Sequence, residues 1–344
     1  MAETERNVLL VGSIGLPDVE TVFRSLAGTV GGSALRFPDG ECGPRSHWIM
    51  WQLSVIAGND QFEIGETIEI PFGGSVRKLD KYKIVGGVDA GDIAFEELGY
   101  AREAISSYAS FKRLQDAGTI PAATRFQVSL PTPVAVVTQH FLSAYQADVE
   151  PAYERAMARE VTAIVDAIPG DDLSIQWDVC QEVLAADDAW QVFYGDLVGD
   201  ALERLVRLSG LVPEPCELGF HFCYGDPGHK HLKEPGDLGV CVVFANGVCE
   251  QIGRIVNWIH MPVPKERDDD AYFAPLDDIK LQAGTELYLG LVHITDGLDG
   301  AKRRLAAATQ HVEHFGVATE CGFGRRQEDT IPELLRLHAD IAEL

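Results

Sequence analysis

Short apolar runs alternate with longer stretches of helical periodicity along almost the whole chain, and this rhythm is the strongest constraint on its fold. Eight runs read as strands: residues 8–11, 34–37, 126–130, 173–178, 218–223, 255–261, 287–293 and 317–321. Between them, apolar residues recur at helical spacing, most clearly over 92–114, 148–168, 196–209 and 300–315, with 331–344 as a terminal helix. Pro151 stands near the expected start of the second of these helices, and Pro169-Gly170 closes it. Strands separated by helices imply parallel βαβ units. Eight such units predict an α/β chain folded as a (β/α)8 TIM barrel, and 344 residues with insertions fit one domain of that kind. An open doubly wound sheet is the alternative, because strand count alone does not establish closure. One segment breaks the rhythm. Residues 62–85 alternate in polarity around Gly73-Gly74, which predicts a β-hairpin inserted after the second strand.

Charge narrows the partners. The chain carries 28 Lys and Arg against 53 Asp and Glu, a net charge of −25, with no basic stripe. Nucleic acid and anionic membrane both require clustered cations and are excluded on that ground. The charged opening leads directly into Val8-Leu9-Leu10-Val11, so no secretory leader is expected, and no run reaches ~18 apolar residues. Seven scattered cysteines, an odd number, do not read as a disulfide framework. A reducing cytoplasm is the expected location, and a homo-oligomer is left open.

The chemistry sits at the ends of the expected strands. They finish in Gly12-Ser13, in Asp39-Gly40-Glu41 with Arg45, in Asp178 through Glu182, in His221-Phe222-Cys223, in His260, in His293 with Asp296, and in Glu320-Cys321-Gly322. In a barrel these ends converge on one rim, so residues far apart in sequence share one pocket. Alternation along a strand puts His221 and Cys223 on the same side. One imidazole and one thiolate, joined by the Cys321 thiolate from a distant strand end, are soft zinc-type donors. The plain alternative for His221 and Cys223 alone is a buried structural pair. His229 and His231 are read as a second metal pair or as a solvated loop over the site. Asp39, Glu41 and Arg45 form a salt-bridged turn or hold a polar group of a substrate. Cys42 and Cys180 lie near the rim but default to small buried hydrophobes, and Cys216, Cys241 and Cys249 to packing. Gly12-Ser13-Ile14-Gly15 lacks the lysine and the spacing of a phosphate cradle.

In order along the chain, these segments resemble the C-terminal barrel of cobalamin-independent methionine synthase, in the superfamily that also holds uroporphyrinogen decarboxylase. Gly12-Ser13 with Pro17 is similar to the family's Gly-Ser-Phe-Pro, and Gly40-Glu41 with Arg45 to its Gly-Glu-x-x-Arg, here one residue longer. Leu130-Pro131-Thr132-Pro133-Val134 stands at its Thr-Gly-Pro-Val. Ile175-Gln176-Trp177-Asp178 resembles Ile-Gln-Ile-Asp, His221-Phe222-Cys223-Tyr224 its His-x-Cys-Tyr, and Glu320-Cys321-Gly322-Phe323 with Arg326 its Asp-Cys-Gly-Leu-x-x-Arg.

The resemblance implies zinc held by His221, Cys223 and Cys321, with a thiol substrate activated for alkyl transfer. The family's ligating Glu is expected from the sixth strand, and His260 stands there instead. It is read either as a fourth ligand, completing a site of two cysteines and two histidines, or as a substrate contact beside an open position. The family's Asp-Glu-Pro is also altered: Asp178 is followed by Val179-Cys180-Gln181-Glu182. The expected activity is a zinc-dependent alkyl (methyl) transferase joining an alkyl donor to a small thiol. Asp178 and Glu182 are the candidate acid/base groups, the alternative being helix caps. Ser13, Asp39, Glu41, Arg45, His293 and Asp296 are the candidate substrate contacts. Lyase or hydrolase chemistry at the same zinc, and a non-catalytic metal- or small-molecule-binding barrel, are the competing readings.

Overall fold

The computed structural model describes residues 6–72, 75–228 and 230–344. Nine strands follow in chain order: β1 (Arg36–Pro38), β2 (Phe62–Phe72), β3 (Ser75–Ile84), β4 (Arg125–Pro131), β5 (Leu173–Val179), β6 (Glu217–Phe222), β7 (Trp258–Pro262), β8 (Glu286–Gly290) and β9 (Gly316–Val317). Seven form one parallel sheet in the order β1-β4-β5-β6-β7-β8-β9, so each new strand is laid beside the one before it. The sheet is curled, and both of its edges reach the same segment. Val8 bridges to Ala34 beside β1 and to Val317 in β9. Val8 donates to Ser33 (2.9 Å), and on the other side Leu9 donates to Val317 (2.9 Å) while Val317 donates to Asn7 (2.9 Å). This mixed α/β architecture is consistent with a TIM-like barrel. Among the described residues, no helix is long and apolar enough to cross a membrane.

Parallel pairing sorts the inward side chains into layers. Register places Ser174 beside Glu217, Gln176 beside Gly219, and Asp178 beside His221. It continues with Gly219 beside Trp258 and His221 beside His260. The lowest layer is ionic: Arg36 is buried and bonds Glu217 and Glu286, each at 2.6 Å, while lying 4.3 Å above the Trp258 ring. The middle layer is filled by Trp258, packed with Leu9, Val11, Tyr288 and Ala318. A side chain at Gly219 would overlap the Trp258 indole, so β6 carries glycine where the opposite ring fills the interior. The top layer, at the C-terminal strand ends, holds Asp178, His221 and His260. Because β5 is covered on both faces, all seven of its residues are buried.

Several boundaries differ from those expected. The 8–11 run makes isolated bridges in place of a full strand, and 317–321 is strand only through Val317. Residues 93–98 belong to no helix or strand, and the helix begins at Tyr100 after Gly99 at φ 94°. The helix expected from 148 starts at Ser143, which leaves Pro151 in its interior. β2 and β3 pair antiparallel with a bulge between Ile64 and Glu66. The base of this pair is tied to the rest of the molecule, since Leu142 donates to the Tyr82 carbonyl at 2.9 Å. Gly73 and Gly74, on which the hairpin reading turned, lie outside the described residues, as does His229.

Candidate metal centre

The top layer becomes a site because three strand ends deliver soft donors to one point. His221 is the penultimate residue of β6, Cys223 follows that strand, and Cys321 comes from the turn after β9. Their donor atoms all lie within 4.8 Å of one another. The two sulfurs are 3.8 Å apart. Two thiolates at about 2.3 Å from a tetrahedral zinc stand about 3.8 Å apart, so the pair has the spacing the ion requires. His221 and Cys223 are buried, and Gly225 N–H donates to the Cys223 sulfur at 3.2 Å. Neighbouring thiols and burial hold both cysteines well above the ordinary thiol range. A bound cation reverses that preference by favouring the thiolate.

The imidazole is oriented by a second ring. His260 Nε2 lies 3.0 Å from the Thr319 carbonyl, which can only accept, so the proton of His260 sits on Nε2. Burial keeps His260 neutral, its pKa lowered to about 3, and its bare Nδ1 therefore accepts. His221 Nδ1 lies 2.7 Å from it and is the donor. Burial and the neighbouring His260 keep His221 neutral as well. The proton of His221 is thus fixed on Nδ1, and Nε2 carries a free lone pair. That Nε2 is buried with no hydrogen-bond partner. An orphaned imidazole nitrogen beside two close thiols fits a soft divalent metal. His260, expected either as a fourth ligand or as a substrate contact, has both nitrogens engaged and stands outside the donor cluster.

The cluster opens on a cavity of about 540 Å³ whose lining includes Ser13, Glu41, Trp48, Asp178, Cys180, Trp190, His231 and Arg325 as well as the three donors. Three carboxyls line it, Glu41, Asp178 and Asp226, and the first two are shifted toward neutral pH. Burial and the nearby Asp178 charge raise Glu41 to about 8. Asp178, raised by burial to about 7, accepts from Gln176 Nε2 at 2.9 Å and from the Trp48 indole. Ser13 Oγ accepts from Gly324 N–H at 3.2 Å, which joins the Gly12-Ser13 turn to the Cys321 turn.

Other expected contacts lie elsewhere. Asp39 is buried and saturated, accepting from Arg45 (2.9 and 3.3 Å), Ser107 (2.7 Å) and Glu41 N–H (2.9 Å). It is the salt-bridged turn that aims Glu41, and neither Asp39 nor Arg45 lines the cavity. Asp296 is taken up by Arg304 at 2.7 and 2.9 Å. His293 Nε2 meets the Val263 carbonyl at 2.9 Å, and its Nδ1 lies 3.7 Å from Glu320. Glu182, raised by burial to about 7, is buried behind the cavity wall near Thr132. Two aromatic wall residues, Trp48 and Trp190, were not anticipated. Trp48 adopts φ 54°, ψ −118°, a conformation rare for a bulky residue, and such strain gathers at functional sites. The only sequence signal was the dense run His47-Trp48-Ile49-Met50-Trp51 after the Glu41 turn.

No protein-family model and no curated protein matches the chain. Solved structures do. A B12-independent methionine synthase from Shewanella sp. W3-18-1, in complex with selenomethionine, aligns at TM-score 0.64 and 14% identity over 99% of this chain and 96% of that one. A putative vitamin-B12-independent methionine synthase from Listeria monocytogenes aligns at TM-score 0.54 and 15% identity, over 94% and 86% respectively. The chain therefore has a methionine-synthase-like fold.

Proposed function

We propose that this chain is a single (β/α)8 barrel, with the β2–β3 pair inserted in it, acting as a zinc-dependent alkyl transferase to a small thiol, methyl being the group transferred. One observation carries the reading: the unpartnered Nε2 of His221 and the close Cys223 and Cys321 thiols form one wall of a cavity that two near-neutral carboxyls also face. The fold shared with methionine synthases supports it. His221 Nε2, Cys223 and Cys321 would hold the zinc, which when bound makes a substrate thiol acidic enough to react as thiolate at neutral pH.

The chain's own residues do the rest. Glu41 and Asp178 both line the cavity, where Glu41 in its ionised form takes up the thiol proton or holds an ammonium group of an amino-thiol. Asp178, protonated up to about 7, supplies a proton to the leaving group of the alkyl donor. Glu182, buried off the cavity, keeps at most an indirect part. Trp48 and Trp190 offer flat apolar walls to the donor and exclude water.

Metal analysis of purified protein is the first test, with about one zinc per chain expected. The zinc-edge absorption spectrum should then change when small thiols are added. Zinc without a thiol response favours the hydrolase or lyase reading, and no zinc at all removes both. Cys321→Ser should lose the metal; full zinc content in that variant refutes the ligand assignment.

A further inference from the structure

Three donors leave a tetrahedral ion one position short, and the side chains around the triad differ in what they could add. His260 has no free nitrogen. Glu320, beside Cys321, is directed to His231 at 3.4 Å and His293 at 3.7 Å. Cys180 is different. It follows β5 as Cys223 follows β6, and the strands pair as Asp178 with His221 and Val179 with Phe222. The Cys223 N–H donates to the Val179 carbonyl at 3.0 Å, which closes the last pair, Val179 with Phe222. Cys180 and Cys223 are the residues that directly follow this last pair, each two positions beyond the inward-facing Asp178 and His221. The two thiols are neighbours. Cys180 also lies against Gly225, 3.8 Å from where a Cβ there would stand, and Gly225 donates to the Cys223 sulfur. It is 3% exposed, lines the cavity, and heads a helix without capping it.

We propose that Cys180 is a third sulfur donor to the metal, so that one histidine and three cysteines make up the set: His221, Cys223, Cys321 and Cys180. The inference rests on the metal reading of the triad and extends it to a residue outside it. Cys180 stands outside the cluster formed by the other three donors, and rotation about its single side-chain torsion is the movement that would bring its sulfur toward them. Three sulfurs and one nitrogen make a softer, more zinc-selective set than two sulfurs and an oxygen.

Zinc K-edge fine structure on zinc-loaded full-length protein counts the donors without reference to activity. The wild type is expected to show three sulfurs at about 2.3 Å and one nitrogen at about 2.0 Å. Cys180→Ser is expected to keep its zinc and lose one sulfur, while Cys249→Ser, on a distant helix, keeps all three. A wild-type count of two sulfurs overturns the proposal whether or not Cys180→Ser folds. An unchanged count of three in Cys180→Ser overturns it equally. Zinc bound with two sulfurs rejects the Cys180 assignment alone, whereas failure of the wild type to bind zinc rejects the metal reading beneath it.

Discussion

Replacing His260 by alanine separates a ligand from a residue that positions one. In the folded protein, His260 Nδ1 is the acceptor for His221 Nδ1–H at 2.7 Å, and His260 is held in turn by Thr319 at 3.0 Å. His260→Ala removes that acceptor and leaves a buried donor unpaired on a ring that is 2% exposed. An orphaned buried donor costs about 1–3 kcal/mol. The ring can escape that cost by moving its proton to Nε2 or by turning, and either change hides the lone pair from the metal. Both routes give the same size of effect, zinc affinity weaker by about 10- to 100-fold, or about 1.4–2.7 kcal/mol. Competition against a chelator of known affinity reads it directly. His260→Gln, whose amide oxygen can accept from His221, should recover part of the loss. The nitrogen count in the zinc-edge spectrum must stay at one in all three proteins. A drop from two nitrogens to one in His260→Ala would show that His260 is a ligand after all. Unchanged affinity in His260→Ala would refute the orienting role.

The other predictions concern the carboxyl at the cavity and the ionic layer beneath it. Asp178 is raised by burial to about 7, so its acid form is lost as pH rises through that value, and transferase turnover should fall on the alkaline side with a midpoint near 7. Asp178→Asn should abolish that limb and slow turnover about 10²- to 10⁴-fold, whereas Trp48→Phe, which removes the indole N–H that favours the ionised form, should move the midpoint upward. In linkage terms a raised carboxyl binds protons more tightly when folded, so Asp178 lowers stability as pH climbs from about 4 to 7; denaturant titrations across that range should be flatter in Asp178→Asn. Arg36→Ala should destabilise the fold by about 3–5 kcal/mol in urea titrations, because it strands Glu217 and Glu286 and uncovers Trp258. For Glu217, burial opposes ionisation but Arg36 outweighs it and the pKa is lowered, so the stabilisation it gives is present at neutral pH and lost as pH falls through the folded value. An Arg36→Ala loss under about 1 kcal/mol would show that the layer is not a structural clamp.

The difference between what the chain revealed and what it withheld follows from the range of the forces involved. Strand positions such as 126–130 and 173–178 were legible because their periodicity is a local consequence of burial on two faces, and β4 and β5 fall there within one or two residues. Edges were less legible: Val8 is held by single bridges to two neighbours, and pairing with distant chain leaves no local signature. The triad could be read because His221 and Cys223 are two apart on one strand, and Cys321 sits in a distinctive turn. What His260 does could not. A histidine opposite a ligand looks the same in sequence whether it coordinates or orients, and only the Thr319 carbonyl decides between the two. Asp39 and Glu41 pose the same problem two residues apart, since one is consumed by Arg45 and Ser107 while the other faces the cavity. Cys180 is the sharpest instance. Taken alone it is a small buried hydrophobe, and nothing nearby in the chain marks it as more. Its meaning comes from register, from the fact that two parallel strands bring residues 43 positions apart side by side. A donor set assembled in this way is a property of strand pairing, and it stays hidden until the pairing is known.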